Sequence, residues 1–254
     1  MTSGVDKASF LDELARTIDP NELSTIGNAL VITPHPDDES LGCGGTIALL
    51  RERGFAVHVL FVSDGTMSHP NSPTYPADRL RQLRESEALA ALRILNVPPE
   101  QATFMRQKDT QVATPDSPAF AEAVAFMLNV LIDVNPTTVL VPWRRDPHRD
   151  HRASWQQLNA AVQQCPSRTR VLEYLIWLWE LGNGADMPDR DEMIVWRVPI
   201  KPVMAQRDQA IAAHRSQVTR LIDDDPTAFF LSPELLTHFN TPRELFLEER
   251  AVRR

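Results

Sequence analysis

The run Ala29-Leu30-Val31-Ile32-Thr33 reads as a buried strand, and after one proline it ends on His35-Pro36-Asp37-Asp38-Glu39. A strand that hands over at once to a histidine and three acids has little structural excuse. Carboxylates are rarely buried unless they are paired or coordinate metal. A second apolar run, Thr138-Val139-Leu140-Val141-Pro142, is followed by Asp146-Pro147-His148-Arg149-Asp150-His151. Two strand ends, each carrying histidine and aspartate, point to one divalent metal site assembled from distant parts of the chain. The simpler reading, that Asp37, Asp38 and Glu39 cap a helix beginning near Gly42, accounts for one acid at about 0.3–1 kcal/mol. It leaves His35 and the second histidine pair unexplained.

The rest of the chain alternates strand-like and helix-like segments, the pattern of an α/β fold: a mostly parallel sheet covered by helices in a Rossmann-like, three-layer arrangement. Strands are predicted over 29–33, 56–62, 102–105 and 138–141. Helices are predicted over 45–53, closed by Gly54, over 79–95, over 120–132 and over 154–162. Further on, 171–179 and 193–198 read as strands, the second at the sheet edge, and 203–221 as one long helix. Residues 1–27 read as a helical lead-in with Phe10, Leu11, Leu14 and Ile18 on one face. The 254 residues show no internal repeat and no disordered linker, and are expected to form a single domain over 1–254. Ligands of open parallel sheets bind outside the carboxyl ends of the strands. Four segments leave from that rim: 35–39, 64–78, 106–117 and 143–151, so both histidine clusters fall on it.

The formal charge of -8 argues against nucleic acid or an anionic membrane surface as the main partner. No apolar stretch approaches the roughly 18 residues of a membrane span. The N-terminus lacks a secretory pattern, and the two cysteines, Cys43 and Cys165, make no disulfide framework. A soluble, cytoplasmic protein acting on a small molecule is expected, with homo-oligomerisation left open.

A catalytic zinc commonly takes three protein ligands and leaves a position for water, whose pKa falls to roughly 7. Hydrolysis also needs a base beside that water and a donor for the developing oxyanion. The two clusters supply every role, although spacing alone does not choose between His148 and His151 as ligand.

Pro34-His35-Pro36-Asp37-Asp38-Glu39 after the first strand and His148-Arg149-Asp150-His151 after a later one resemble the two hallmark motifs of the zinc-dependent N-acetylglucosaminyl deacetylases, the PIG-L or LmbE-like family. Ser63-Asp64-Gly65, Arg84-Glu85-Ser86-Glu87 and His214-Arg215-Ser216-Gln217 are similar to further family elements, so the resemblance spans most of 29–217. It implies a metal-dependent hydrolase that removes an N-acetyl group from an amino-sugar or sugar conjugate. His35, Asp38 and His151 would bind Zn(II), with Fe(II) also suited to such a ligand set. Asp37 would be the general base and His148 the group that polarises the carbonyl and passes a proton to the amine. Asp150 would orient the His148 imidazole and favour its charged form. The same resemblance offers Arg84 for sugar hydroxyls, the bland alternative being a surface ion pair with Glu85 or Glu87. Asp109 is a second hydroxyl contact. Arg149 stands where the family often has proline and would add a cation at the pocket mouth. The proline-rich segment 68–76, with His69, is expected to form a pocket wall.

Cys43 is expected to be packing, His58 a strand residue, His238 a surface group, and His214 ambiguous. Trp177, Trp179, Trp196 and Tyr174 read as core before they read as a sugar platform. Competing readings are a hydrolase of another amide or ester, an inactive relative that only binds, and a methyltransferase using the glycine turn Leu41-Gly42-Cys43-Gly44-Gly45 with Asp64. The last conflicts with the metal motif that separates that turn from its strand.

Overall fold

The computed structural model describes residues 7–250. The apolar runs form the middle of one sheet. β2 (Ala29–Thr33) lies between β3 (Val57–Ser63) and β5 (Thr138–Pro142). β4 (Ala102–Gln107) extends the sheet beyond β3, and β6 (Arg170–Tyr174) beyond β5, all in parallel register. Alternate residues of the central strands face opposite layers, as a period of two requires. Val31, Val59 and Phe61 pack with α2 (Asp38–Glu52) and α3 (Ala77–Ile94). Leu30, Ile32, Leu60 and Val62 pack with α4 (Phe120–Val134) and α5 (Arg149–Val162). This is the expected α/β architecture. The strand order reverses at β2 and β5, and ligands of open parallel sheets bind at such a switch point.

The far side of the sheet departs from the sequence reading. The lead-in is not one helix: α1 (Lys7–Leu14) gives way to a two-residue strand, β1 (Arg16–Thr17), and a short 3-10 turn over Pro20–Thr25. Residues 1–6 of the lead-in lie outside the described residues. β1, not β7 (Met193–Pro199), is the edge strand, and it pairs with β7 in parallel. The expected 171–179 strand ends at Tyr174. The long helix expected over 203–221 breaks at His214 (ψ 57°) into α6 (Met204–Ala213) and α7 (Arg215–Val218). A short α8 (Pro233–Thr237) follows. β8 (Arg243–Glu249), which periodicity did not single out, inserts between β6 and β7 antiparallel to both. Among the described residues no helix is long and apolar enough to cross a membrane.

α2 starts at Asp38 itself, seven residues before the expected start, and is interrupted at Cys43 (φ -149°, ψ 16°). The glycines around the break serve close approach. A Cβ on Gly42 would stand 2.3 Å from the Tyr174 ring, and one on Gly45 2.7 Å from Ile200. The Leu41–Gly45 turn is therefore a packing device, not a cofactor loop. The break exposes a fresh set of helix N–H groups, and Glu244 of β8 takes them. Its carboxylate accepts from Gly45 N (2.7 Å), Thr46 N (2.8 Å) and Thr46 Oγ1 (2.6 Å), all buried. Glu244→Ala leaves these donors without an acceptor and is expected to cost at least about 2 kcal/mol, with Glu244→Gln losing less. Urea denaturation midpoints measure both, and equal midpoints for wild type and Glu244→Ala would remove the capping role.

Candidate metal and active site

The backbone turns sharply where β2 meets α2. Asp37 has φ 146° and ψ -30°, a conformation that L residues rarely adopt and that costs on the order of 1–3 kcal/mol. The surroundings hold it there. Arg84 Nη2 donates to Pro36 O (2.7 Å) and to Asp37 Oδ2 (3.0 Å), and Arg84 Nη1 to Gly65 O (2.8 Å). Asp37 N donates to Glu39 Oε2 (3.0 Å), whose other oxygen takes Ser40 Oγ and faces His214 Nε2 at 2.9 Å. Arg106 at φ 57°, near the end of β4, and Thr110, a β-branched residue at φ 65° in the loop after it, add further strained backbone.

Asp38 joins the two histidine clusters. Its Oδ2 lies 3.3 Å from His35 Nδ1 and 3.3 Å from His151 Nε2. Four ligands around an ion at 2.0–2.1 Å stand about 3.3 Å from one another, and both contacts match that spacing. Neither ring nitrogen of the buried His151 has a hydrogen bond of good geometry. Each histidine also has carboxylates behind it. His35 Nε2 lies 3.2 Å from Asp109 Oδ1 and 3.5 Å from Asp150 Oδ2, and His151 Nδ1 lies 3.4 Å from Asp146 Oδ1. Such partners orient metal-bound imidazoles and raise their basicity. His35, Asp38 and His151 thus offer a set of nitrogen and oxygen donors of the chemistry a divalent cation takes, with Asp38 in reach of both rings. Metal-capable atoms of His35, His148 and His151 also cluster within 4.8 Å, as do those of His35, Asp109 and Asp150.

Protonation follows the same charges. Burial opposes the charged imidazoles, but Asp109, Asp150 and Asp38 raise His35 well above its ordinary value, and Asp38 with Asp146 hold His151 at about 9. Burial likewise opposes the Asp38 carboxylate, yet His151 and His35 keep it well below the usual range. Asp37 goes the other way: burial raises it to about 7, against the pull of Arg84 and with Asp38 adding repulsion. Burial, then His151 and His35, lowers His148 to about 4.

Several expected contacts are corrected. Asp150 does not hold His148 with its carboxylate. That group accepts from Thr110 N (2.7 Å) and faces His35, while the Asp150 backbone N–H donates to His148 Nδ1 (3.2 Å). His148 is the N-cap of α5, so an accepting Nδ1 leaves its proton on Nε2 as a neutral ring. Asp150 does raise the His148 pKa, as expected, but burial and the neighbouring His151 and His35 outweigh it. Arg84 sits well inside α3, not at its start, and is buried against Asp37 with neither Glu85 nor Glu87 as partner. Asp109 is tied to His35 and to Met67 N (2.8 Å). Arg149 is exposed (side chain 57 %), outside the cavity lining, and 3.9 Å from Asp150. His69 is buried against Ser68 Oγ and the Phe230 ring and does not line the cavity. Of the expected 68–76 wall only Ser68 lines the cavity, beside Met67 just before it.

A cavity of about 310 Å³ opens over the cluster, lined by His35, Asp37, Asp38, Asp109 and His148 on one side and Trp177 and Phe229 on another. Sequence reasoning gave no role to Asp146, which backs His151 and accepts from Trp177 N and His148 N. It also missed the wall built by 229–231. A carboxylate two residues from one histidine and five from another was the available signal for Asp146; no local signal marked Phe229. Tyr174 is core, its hydroxyl donating to Ile32 O (2.8 Å), and Trp196 donates to Glu248. Cys43 is buried packing and His238 is exposed.

The sequence profile of the PIG-L family, described as GlcNAc-PI de-N-acetylase, matches residues 30–162. The chain is 25% identical over 208 residues to a probable N-acetyl-alpha-D-glucosaminyl L-malate deacetylase 2 of Bacillus cereus, covering 78% of this chain and 86% of that one. It is 27% identical over 246 residues to the 1D-myo-inositol 2-acetamido-2-deoxy-alpha-D-glucopyranoside deacetylase of Nocardia farcinica, covering 76% and 81%. The fold matches the N,N'-diacetylchitobiose deacetylase of Pyrococcus horikoshii with a TM-score of 0.63 at 23% identity, over 86% of this chain and 82% of that one.

The Glu39–His214 pair makes a pH-dependent prediction. Burial opposes the imidazolium, but Glu39 raises its pKa above the ordinary histidine value. Its contribution to stability is therefore fully present below pH about 6.5, the unfolded value. It is lost as pH rises through the raised folded value. His214→Gln is expected to be less stable than wild type at acidic pH, with the gap closing as pH rises. Paired urea titrations from pH 5 upward measure it, and a gap independent of pH would exclude a charged His214.

Proposed function

The chain belongs to the PIG-L (GlcNAc-PI de-N-acetylase) family, and from that premise we propose that it is a cytoplasmic metal-dependent hydrolase that removes the N-acetyl group from an N-acetylated amino-sugar or conjugate and releases acetate. The observation that carries this reading is the placement of Asp38 Oδ2 at 3.3 Å from a ring nitrogen of each of two buried histidines, beside a strained, Arg84-held Asp37. His35, Asp38 and His151 would hold the ion, with zinc the first choice and Fe(II) also suited. When bound, such an ion polarises a carbonyl oxygen and lowers the pKa of water.

Asp37 is the base. Arg84 engages its Oδ2 and leaves Oδ1 to take the proton from the attacking water. A carboxyl near pH 7 exchanges protons readily in both directions at neutral pH. The neutral His148 donates from Nε2 to the oxygen on which negative charge develops. A neutral imidazole makes a poor acid, so Asp37 also returns the proton to the departing amine. The C–N bond breaks, the water oxygen stays with acetate, and the amine leaves protonated. Asp109, Asp146 and Asp150 act through the histidines they orient.

His151→Ala is expected to lose bound metal. His148→Ala is expected to keep it and to lose about 10²–10³-fold in turnover. Metal analysis of purified variants beside amine release from N-acetylglucosamine conjugates, with and without chelator and with Asp37→Asn as control, tests both. A metal-free His148→Ala protein alongside a metal-replete His151→Ala protein would reverse the two roles.

A further inference from the structure

Resting on the deacetylase reading, we infer that the amino-sugar taken by this chain carries an uncharged, apolar aglycone, alkyl or aromatic, rather than an anionic or polyhydroxylated one. Five large apolar side chains are exposed among the described residues: Met67 (38 %), Phe126 (37 %), Ile132 (50 %), Leu181 (58 %) and Phe229 (41 %). Three of them, Met67, Leu181 and Phe229, line the cavity over the metal cluster, together with Trp177 and the buried Ile176 and Leu231. Contiguous exposed apolar surface around a polar site marks a ligand contact, not chance.

The reacting amide has to reach Asp37 and His148 at the floor. The most exposed members of the apolar wall, Leu181 and Phe229, stand farther toward solvent, where the group attached to the sugar would lie. The wall is held in shape by its own bonds. Phe229 N donates to Ser68 O (2.8 Å) and Leu231 N to Gln217 O (2.9 Å). Asp224 accepts from Ser72 Oγ (2.6 Å) and Thr74 N (3.0 Å), and Asp225 from Asn71 N (2.8 Å), so the 68–74 and 224–231 segments brace each other. Trp177 is fixed through its N–H to Asp146 and packs its ring 5.6 Å from Phe229. An apolar surface ordered in advance lowers the cost of binding an apolar group.

The same cavity is poor ground for an anion. Arg84 is its one guanidinium among the described lining residues, and both its terminal nitrogens are committed to Gly65 O, Pro36 O and Asp37. Arg149, the cation that the sequence offered, is exposed and is not among the lining residues. An anionic aglycone beside that wall would meet Met67, Leu181 and Phe229 and no lysine or uncommitted guanidinium among the described lining residues.

The test is amine release from zinc-loaded enzyme with N-acetylglucosamine glycosides of both anomers carrying methyl, octyl, phenyl, inositol or L-malyl aglycones. Binding of the same glycosides to Asp37→Asn protein is followed by calorimetry. Octyl and phenyl glycosides are expected to exceed methyl, inositol and malyl by at least about tenfold in kcat/KM and in affinity. That is about 1.4 kcal/mol, less than two buried methylene groups supply. Leu181→Ser and Phe229→Ser are each expected to shrink that ratio, whereas Ile132→Ser, on the far helix α4, keeps it. Turnover of all glycosides at similar rates, or preference for malyl or inositol, overturns the inference and leaves the deacetylase reading standing. Release from none of them overturns both.

Discussion

Four buried aspartates surround two imidazoles, and that imbalance of charge organises the rest of the site. Asp38, Asp109, Asp146 and Asp150 are all nearly inaccessible, yet His35 and His151 are the cationic partners within reach of the cluster. Desolvating carboxylates at this density is expensive unless positive charge compensates them. In the structure both histidines are driven toward protonation. A divalent cation would take over that role and leave the rings neutral, as ligation requires. The carboxylates behind each ring and the oxygen between the two rings are therefore parts of one charge balance.

Asp37 belongs to the same balance in the opposite sense. It sits beside Asp38, is raised by burial, and is kept partly ionisable by Arg84 first and by His214 and His35 after it. The arginine that holds the carboxyl also holds the carbonyls of Pro36 and Gly65, so it fixes the unusual backbone angle and the proton affinity together. Glu39, bridging Asp37 N and His214, ties that turn to the break between α6 and α7. Within Pro34–Glu39, His35 and Asp38 are paired, Asp37 is raised toward neutrality and Glu39 anchors the turn, each in a different electrostatic setting.

The parts of the fold buried on both faces were legible in the sequence, because Ala29–Thr33 and Thr138–Pro142 leave no polar alternative to a central parallel strand. The histidine clusters were legible for the same reason: they follow those strands directly. What failed to show was anything decided by partners distant in sequence. β8 reads Arg-Glu-Leu-Phe-Leu-Glu-Glu, and its Glu244 looks like a solvated acid until the break at Cys43 supplies donors for it. The helical period of 203–221 runs straight through His214, whose tie to Glu39 ends the helix. Arg84 was offered for sugar hydroxyls, because nothing nearby in sequence reveals its acceptors, 19 and 48 positions away. Asp150 was assigned to the histidine next to it, while its carboxylate turned to Thr110 and His35 from other loops.

The antiparallel insertion of β8 has a consequence for how the molecule comes into being. The helix bearing Asp38 is broken at its fifth residue beyond that ligand, and the group that repairs the break arrives roughly two hundred positions later. A nascent chain emerging from the ribosome can lay down the central strands early, but the turn bearing Asp38 rests on an unfinished helix until residues 243–249 slide between β6 and β7. Completion of that turn in this respect waits on a strand made long after the turn itself.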